Sequence, residues 1–324
     1  MQTEFQNNWL DGQCIAPLSE PVAVGWSGGA DSTALLLALR SAGHRVQAWH
    51  VDHAWRTSSK DETELLAIRA EQWGIPFYSA RLERPTGKNI EAEARAGRYA
   101  CFERWGQKLG VKTLCLGHHQ DDQAETVYMR MLQGAGAAGC RGMHRERMLG
   151  DLRLLRPLLH VPGGLLRQIL RKSGIEWLDD PSNSDSQLWR NRIRHRDFAA
   201  MHLAGVDPGA LFLRWKSQAD RLTDRLDMAA TALLKKDMLF EQGVVSFPWK
   251  AWYASEPAVR ARALQKMMAD MLGAGITPGR RHIELVEAWT IKDGRGGLDL
   301  SRCRLYRRQG RLHLQPSVTG NISQ

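Results

Sequence analysis

The chain has no pair of cysteines spaced as C-x-x-C. Its five cysteines, Cys14, Cys101, Cys115, Cys140 and Cys303, are scattered over 324 residues. An odd number at such separations excludes a disulfide framework and a clustered zinc or iron–sulfur site. Buried, reduced thiols are expected instead, and with them a reducing compartment, the cytoplasm. Long apolar runs are missing too. The longest, Ala34–Leu39 (ALLLAL), is far too short to span a membrane. The opening MQTEFQNNWLDGQ has no basic stretch followed by an apolar one, so neither a membrane partner nor a secretory signal is expected. No internal repeat and no low-complexity tract is visible. Acidic residues are in deficit, 35 Asp and Glu against 45 Lys and Arg, a net charge of +10. That balance favours an anionic partner, nucleic acid first. What is present is ordinary: 43% hydrophobic and 25% charged residues suit a soluble globular protein, and the length suits two domains.

From Pro21 to Gly117 strand-like and helix-like stretches alternate. VAVGW is followed by the helical DSTALLLALRSAG, RVQAWHV by DETELLAIRAEQWG, PFYSARL by NIEAEARAGRYACFERWGQKLG, and KTLCLG by DDQAETVYMRMLQG. The alternation predicts an α/β fold, a parallel sheet with helices on both faces, whose ligands sit at the carboxyl ends of the strands. Gly134–Met143 (GAGAAGCRGM), small and flexible, is a candidate active-site loop. A short strand in Leu152–Leu159 and a helix over Gly163–Ser173 follow. A helical stretch over 211–236 leads to a smaller, mostly helical C-terminal unit. It has helices at Glu256–Leu272 and Arg280–Thr290 and is closed by short strands at GGLDL, CRLYRRQ and RLHLQ. The expected division is a catalytic domain over 1–205 and a linker helix with a substrate-binding domain over 206–324.

Ser27–Ser32 (SGGADS) follows a strand and opens a helix. Backbone N–H groups at a helix start, backed by the helix dipole, bind phosphate oxygens. Gly28 and Gly29 let the backbone approach closely, and Ser27 and Ser32 add hydroxyls. The lysine of G-x-x-x-x-G-K-[ST] is absent, and so is G-x-G-x-x-G. Transfer of a γ-phosphate is therefore not the expected chemistry. Asp31 beside a phosphate makes sense only with a cation such as Mg²⁺ between them. The plain alternative is a tight strand-to-helix turn capped by serine.

Four further stretches carry chemistry. In HVDHAWR, His50, Asp52 and His53 end a strand. At such a strand end they diverge, which disfavours a metal cluster; Arg56 is a candidate oxyanion clamp or a plain surface arginine. In NIEAEARAGRY, Glu91, Arg95 and Arg98 share a helical face, either a solvated ion-pair stripe or a grip on phosphate. In GHHQDDQAET, the spacings of His118, Asp122 and Glu125 place an imidazole and two carboxylates on one face. That face is an acid-rich first turn, a Mg²⁺ site or a general base. In WRNRIRHRDF, arginines at 190, 192, 194 and 196 spread around a helix as an electrostatic grip on a backbone. Of the twelve tryptophans, Trp49, Trp73 and Trp105 sit at core positions, whereas Trp177 and Trp189 flank a polar segment.

SGGADS together with HVDHAWR, NIEAEARAGRY, LGHHQDDQAET, RPLL (Arg156–Leu159) and WLDDPSNSDSQLWRNRIR resembles the N-type ATP pyrophosphatases, and among them the tRNA(Ile)-lysidine synthetases. The likeness is dense from Val22 to Arg196 and looser beyond. It implies that ATP is cleaved between the α and β phosphates and that AMP is attached to O2 of the wobble cytidine in the CAU anticodon of tRNA(Ile). The ε-amine of free L-lysine then displaces AMP at C2. It implies Ser27, Gly28, Gly29, Ala30, Asp31 and Ser32 at ATP, Mg²⁺ on Asp31 and Asp122, and catalytic roles for Asp31, Arg98, His118 and Asp122. His50, Asp52, Arg56, Glu91, Arg95, Glu125, Arg190 and Asn191 are further site candidates. The chain ends soon after RLHLQPSVTG, which implies that it lacks a further C-terminal domain of some relatives and leaves the tRNA body to the basic C-terminal unit. Two rivals stand beside this reading. One is a sibling enzyme such as a thiolase, which would want a C-x-x-C pair, or an amidotransferase, which would want a glutaminase module. The other is a nucleotide-binding regulator with no chemistry. The oligomeric state is left open, with a homodimer compatible.

Overall fold

The computed structural model describes residues 21–53, 59–83, 90–179, 189–273, 278–300 and 302–317, and of Glu91 the backbone alone. Arg56, Cys14 and most of the polar segment before Trp189 lie outside the described residues. Six strands form one sheet: β1 (Val22–Gly25), β2 (Val46–Asp52), β3 (Phe77–Arg81), β4 (Thr113–Leu116), β5 (Glu146–Leu149) and β6 (Leu152–Leu155), in the order β3-β2-β1-β4-β6-β5. The crossovers carry α1 (Ala30–Ser41), α2 (Ser59–Gln72), α3 (Ile90–Leu109) and α4 (Gln120–Leu132), with α5 (Gly163–Lys172) after β6.

The apolar pattern explains the layers. Val22 and Val24 of β1 pack with Leu35, Leu39, Leu66 and Leu170 on one face of the sheet. Ala23 packs with Trp49, Phe102 and Leu114 on the other. A strand buried on both faces has no polar side to show, which is why β1 (VAVG) and β4 (TLCL) are almost continuously apolar. β1 pairs in parallel with both β2 (Val22↔Val46) and β4 (Val22↔Thr113). The chain runs outward from β1 through β2 to β3 and then returns to the other side of β1. The carboxyl ends of β1 and β4 therefore flank the point where the winding reverses, the place where such sheets bind ligands.

β5 departs from the expected parallel sheet. It runs antiparallel to β6, as a hairpin through Gly150, whose φ is 55°. Its side chains alternate between exposed and half-buried, and Met148 is 58% exposed. This is an edge strand with no buried run to announce it in the sequence.

A Trp189–Arg192 helix, α6, continues into a π-helix over Ile193–Phe198 and then α7 (Ala199–Leu203). Two compact units result. One comprises the residues through Gly134 together with Cys140–Lys216; the other comprises Ala135–Gly139 and the chain from Ser217 onward. The division falls inside the 30-residue helix α8 (Pro208–Asp237), not at 205/206.

The second unit is mostly helical, with α9 (Trp249–Ala254), α10 (Pro257–Leu272) and α11 (Arg280–Ile291). These pack on an antiparallel sheet of β7 (Leu239–Glu241), β8 (Val244–Pro248), β9 (Gly297–Leu300), β10 (Cys303–Arg308) and β11 (Arg311–Pro316), in the order β7-β8-β11-β10-β9. Phe247, Trp252, Met267, Leu305 and Leu312 are fully buried at its centre. The hairpin β7–β8 turns at Gln242 and Gly243, both at positive φ (50° and 78°), a type I′ connection.

Asp227 ties α8 to α10. Arg262 donates from Nε and Nη2 to its two carboxylate oxygens, each at 2.8 Å, and Lys266 Nζ lies 3.0 Å away. The hydrogen bonds from Arg262, followed by burial acting the other way and then Lys266, hold its carboxyl below the usual range. A depressed carboxylate contributes stability that is complete above its unfolded value of about 3.9 and is lost as pH falls further. Thermal melts of the whole chain between pH 6 and pH 3 are expected to show a downward step in the C-terminal unit that Asp227→Asn flattens. An unchanged pH profile in the variant would contradict this.

The four described cysteines are free thiols. Cys101, Cys115 and Cys303 are buried and Cys140 is half-buried. Burial pushes Cys115 up to about 12 and Cys303 to about 11, so neither is a ready nucleophile.

Candidate active site

Ser27–Ser32 lies where the sequence put it, between the end of β1 and the start of α1. Gly28 takes φ 85°, which an L side chain resists. A Cβ there would also stand 2.8 Å from Leu178 Cδ1 and 2.9 Å from Leu66 Cδ2. The Leu178 N–H donates to Gly28 O at 2.9 Å, so the chain around 178 closes over the loop. Ser27 Oγ and Ser32 Oγ are 3.1 Å apart, the Gly29 N–H donates to Ser27 Oγ, and Ser32 Oγ donates to Gly29 O. The serines thus rigidify the turn. Gly29, the N-cap of α1, offers no side chain to cap the first helical amides, which leaves those donors for a ligand.

The exit from β4 supplies the facing wall, and its geometry corrects one expectation. His118 is not on the face of α4, because the chain is still leaving the strand there. The helix starts at Gln120, and His119, extended at φ −120° and ψ −174°, is its N-cap. The Asp121 N–H lies 3.2 Å from His119 Nδ1 and Asp122 accepts from the His119 N–H at 3.0 Å, the geometry of a reciprocal capping box. His119 is therefore the imidazole among the carboxylates. Its Nε2 is 3.4 Å from Asp31 Oδ2 and 3.6 Å from Asp122 Oδ2, and its Nδ1 is 3.7 Å from Asp121 Oδ2. Burial works against its charge, but the hydrogen bond to Asp31 and the negative charges of Asp122, Asp31 and Asp121 win and raise it to about 9. His118 goes the other way, down to about 3. Burial dominates, Asp122 pulls the other way, and Arg156, Arg190 and Arg98 add to the effect of burial. Its buried Nδ1 has no hydrogen-bond partner.

Asp122 and Glu125 face the arginines of WRNRIRHRDF. Glu125, its side chain 1% exposed, is bound by Arg194 Nε at 2.7 Å and lies 2.9 Å from Arg190 Nε. Arg190 also donates to Thr126 Oγ1 at 2.9 Å, and Arg194 Nη2 is 3.6 Å from Asp122 Oδ1. Burial raises the Glu125 carboxyl against Arg194 and Arg190. For Asp122 burial is overcome by His119, Arg190 and His118, and the carboxyl is held below its usual range. Glu125 thus anchors two arginines. Asn191 is buried beside them, and Arg196 points outward with 86% of its side chain exposed.

Between these walls lies a cavity of about 420 Å³, lined by Ser27, Asp31 and Ser32 of the loop, by the end of β2, by Arg98 of α3 and by His118. That volume falls within the range of ordinary ligand pockets. His50 and Asp52 line it but are already engaged. His50 Nδ1 is 2.9 Å from Trp26 O, and Asp52 accepts from Ser59 Oγ at 3.1 Å with Arg81 Nε 3.6 Å away. Asp122, Glu125, Arg190, Asn191 and Arg95 are not in its lining. Trp177 bonds Asp179 and packs on the α1 side of the core, and Trp189 packs against the cluster around Phe198.

A divalent cation fits this site in part. Asp31 Oδ1 is buried and has no hydrogen-bond partner, while Oδ2 meets His119. Asp122 is the second carboxylate, with one oxygen committed to the cap. No cluster of three or more His, Cys, Asp or Glu suited to a metal occurs among the described residues. Two carboxylates with the rest of the shell from phosphate and water is the usual arrangement for Mg²⁺. Two residues escaped the sequence reading, His119 and, within RPLL, Arg156, while Arg194, expected to grip a backbone, is instead bound to Glu125. The H-x-x-D spacing of a capping box was the available signal for His119.

A family model described as "PP-loop domain" matches residues 2–200. A tRNA(Ile)-lysidine synthase of Chlamydia pneumoniae is 38% identical over 174 residues, 53% of this chain and 54% of that one. Another, of Chlamydia felis (strain Fe/C-56), is 31% identical over 267 residues, 77% of this chain and 84% of that one. Against several such relatives the chain spans only about half of the curated sequence. Among solved structures, a U34-tRNA thiolase of Methanococcus maripaludis, 16% identical, superposes with a TM-score of 0.51 over 62% of this chain and 72% of that one, a likeness of fold. No described helix is long and apolar enough to cross a membrane.

Proposed function

We propose, from the premise that this chain belongs to the tRNA(Ile)-lysidine synthase family of PP-loop proteins, that it joins L-lysine to C2 of the wobble cytidine in the CAU anticodon of tRNA(Ile). ATP is consumed, and AMP and diphosphate are released. The single observation that carries this reading is a phosphate loop without lysine whose Asp31 lines the cavity and keeps one buried, unpartnered oxygen. A kinase loop would place a cation on the γ-phosphate. Here the amides at the start of α1 take the diphosphate that leaves. Asp31 and Asp122 would hold Mg²⁺, which when bound neutralises that leaving group. Arg98, lining the same cavity, adds a guanidinium for the remaining charge.

Attack by lysine needs its ε-ammonium, of pKa about 10.4 in water, to lose a proton. His118 and Asp122 are both held unprotonated at neutral pH, by burial and by surrounding cations respectively. That is the state an acceptor requires. Their low basicity confines them to orienting the ammonium by accepting its hydrogen bonds, with its proton leaving to solvent. Asp31, Arg98, His118 and Asp122 are therefore the residues to which we assign catalysis, and His119 is a positioning residue between the two carboxylates.

The test is incubation of the whole chain with ATP, Mg²⁺, radiolabelled lysine and a CAU-anticodon tRNA. Label in RNA with stoichiometric diphosphate is the expected result. Diphosphate without label, restored by another nucleophile, would assign the chain to a sibling activity. ATP binding with neither product would make it a regulator. A sulfur-transfer reading is disfavoured because no cysteine among the described residues lines the cavity and none in the sequence is spaced as C-x-x-C.

A further inference from the structure

Four arginines surround one tyrosine of α3. Tyr99 is buried. The guanidinium carbons of Arg95, Arg98 and Arg147 lie 4.8, 5.8 and 4.9 Å from its ring centroid. Arg156, 4% exposed, donates from Nη1 to His144 O at 2.6 Å. The Nε atoms of Arg147 and Arg156 are both buried without a hydrogen-bond partner. Among the described residues none of the four is in an ion pair with a carboxylate.

A guanidinium cannot shed its proton to escape such company. Burial, with the Arg95 charge adding to it, works against the charge of Arg98. For Arg156 burial comes first and Arg147 and Arg95 add to it. The face of the tyrosine ring offsets part of the repulsion. The remainder, with two unused N–H groups pointing into a buried place, is relieved by an oxyanion.

We propose that this cluster is a second anion site, and that it takes phosphodiester oxygens of the RNA strand that carries the target base. The inference rests on RNA being the substrate. ATP is the weaker candidate, because of the four only Arg98 lines the nucleotide cavity. Free lysine is weaker still, since an amino acid of net charge +1 is repelled by four guanidiniums. A phosphodiester matches on charge and on the planar, two-pronged donor geometry of arginine. Arg98 touches both places, so the cluster holds the backbone beside the pocket where the base is modified.

The experiment compares the whole chain with Arg147→Gln, Arg147→Lys and Arg95→Gln. Arg95 is exposed, so its loss does not endanger folding. Binding of an anticodon stem–loop RNA with a CAU loop is measured over a series of salt concentrations, and ATP binding is measured in parallel. Each glutamine variant is expected to bind RNA about tenfold more weakly and to lower the slope of log K against log salt by about one. ATP affinity is expected to stay within about twofold. Arg147→Lys should restore the slope but not the full affinity, because a point charge replaces a fork. Unchanged slopes in both glutamine variants, a tenfold loss of ATP affinity instead, or a parent chain that binds ATP but no RNA would each overturn the proposal. Lysidine formation by the parent together with unchanged slopes rejects the anion site and leaves the function standing. Arginine-dependent RNA binding without lysine transfer does the reverse.

Discussion

Replacing Asp31 by alanine is expected to leave the protein folded and to lower lysidine formation by about a thousandfold, the scale seen when one group that stabilises developing charge is removed. The carboxylate sits among the amides of α1 with one oxygen buried and unpartnered and the other 3.4 Å from His119 Nε2. Its side chain is 30% exposed, and His119 keeps Asp121 and Asp122 as partners. The fold should therefore lose no more than about 1 kcal/mol. Asp31→Asn separates charge from shape. It keeps the volume and loses the anion, so it should fall nearly as far as alanine, and its activity should no longer respond to Mg²⁺ in the parent's range. Product formation by either variant at a tenth of the parent rate would remove the case for a cation bridging Asp31 and the diphosphate.

Glu125→Ala is expected to cost about 2 kcal/mol of stability and at least tenfold in kcat/KM. Removing one member of a fully buried ion pair costs about 3–5 kcal/mol. Here Glu125 is 1% exposed, but Arg190 and Arg194 are 40% and 32% exposed and regain water when it goes, which brings the figure down. In a unit of this size that is a shift in Tm of about 4–8 °C. The activity loss follows because Arg190, left with Thr126 Oγ1 and a 3.4 Å contact to Asp122 O, no longer has a fixed guanidinium plane. Glu125→Gln, which can still accept one bond, should lie between. Thermal denaturation and steady-state kinetics on the same preparations check both parts. A variant that melts with the parent would show that the clamp contributes nothing.

The sequence carried the parts of this molecule whose physics is local. VAV before two glycines is a strand buried on both sides, and GWSGGADS is a strand end, a turn at positive φ and a helix start in eight residues. The helix-covered parallel sheet followed from alternation, and the loop from its composition. What escaped was set by neighbours distant in sequence. β5 is an edge strand whose side chains never form a buried run. The β7–β8 hairpin turns on Gln242, a residue that seldom takes positive φ. His118 was placed one residue too far into its helix, and the imidazole that meets Asp31 and Asp122 is His119, a swap that only the extended N-cap reveals. The clustering around Tyr99 joins α3 to Arg147 on β5 and Arg156 just after β6, three stretches with no shared periodicity.

The six-residue π-helix over Ile193–Phe198 joins two requirements that a regular helix would set against each other. At its beginning, Arg194 and, in the turn before it, Arg190 must meet Glu125. At its last residue, Phe198 must stack on Phe212, with ring centroids 5.6 Å apart and 12° between planes. Each residue of an α-helix turns the chain by about 100°, so deleting one residue in this stretch would let the backbone rewind happily while swinging one end out of phase with the other. Length here is thus under tighter constraint than chemical identity: a conservative swap at Ile193 is absorbed, whereas a shortened or lengthened gene in the same spot breaks the clamp or the aromatic stack.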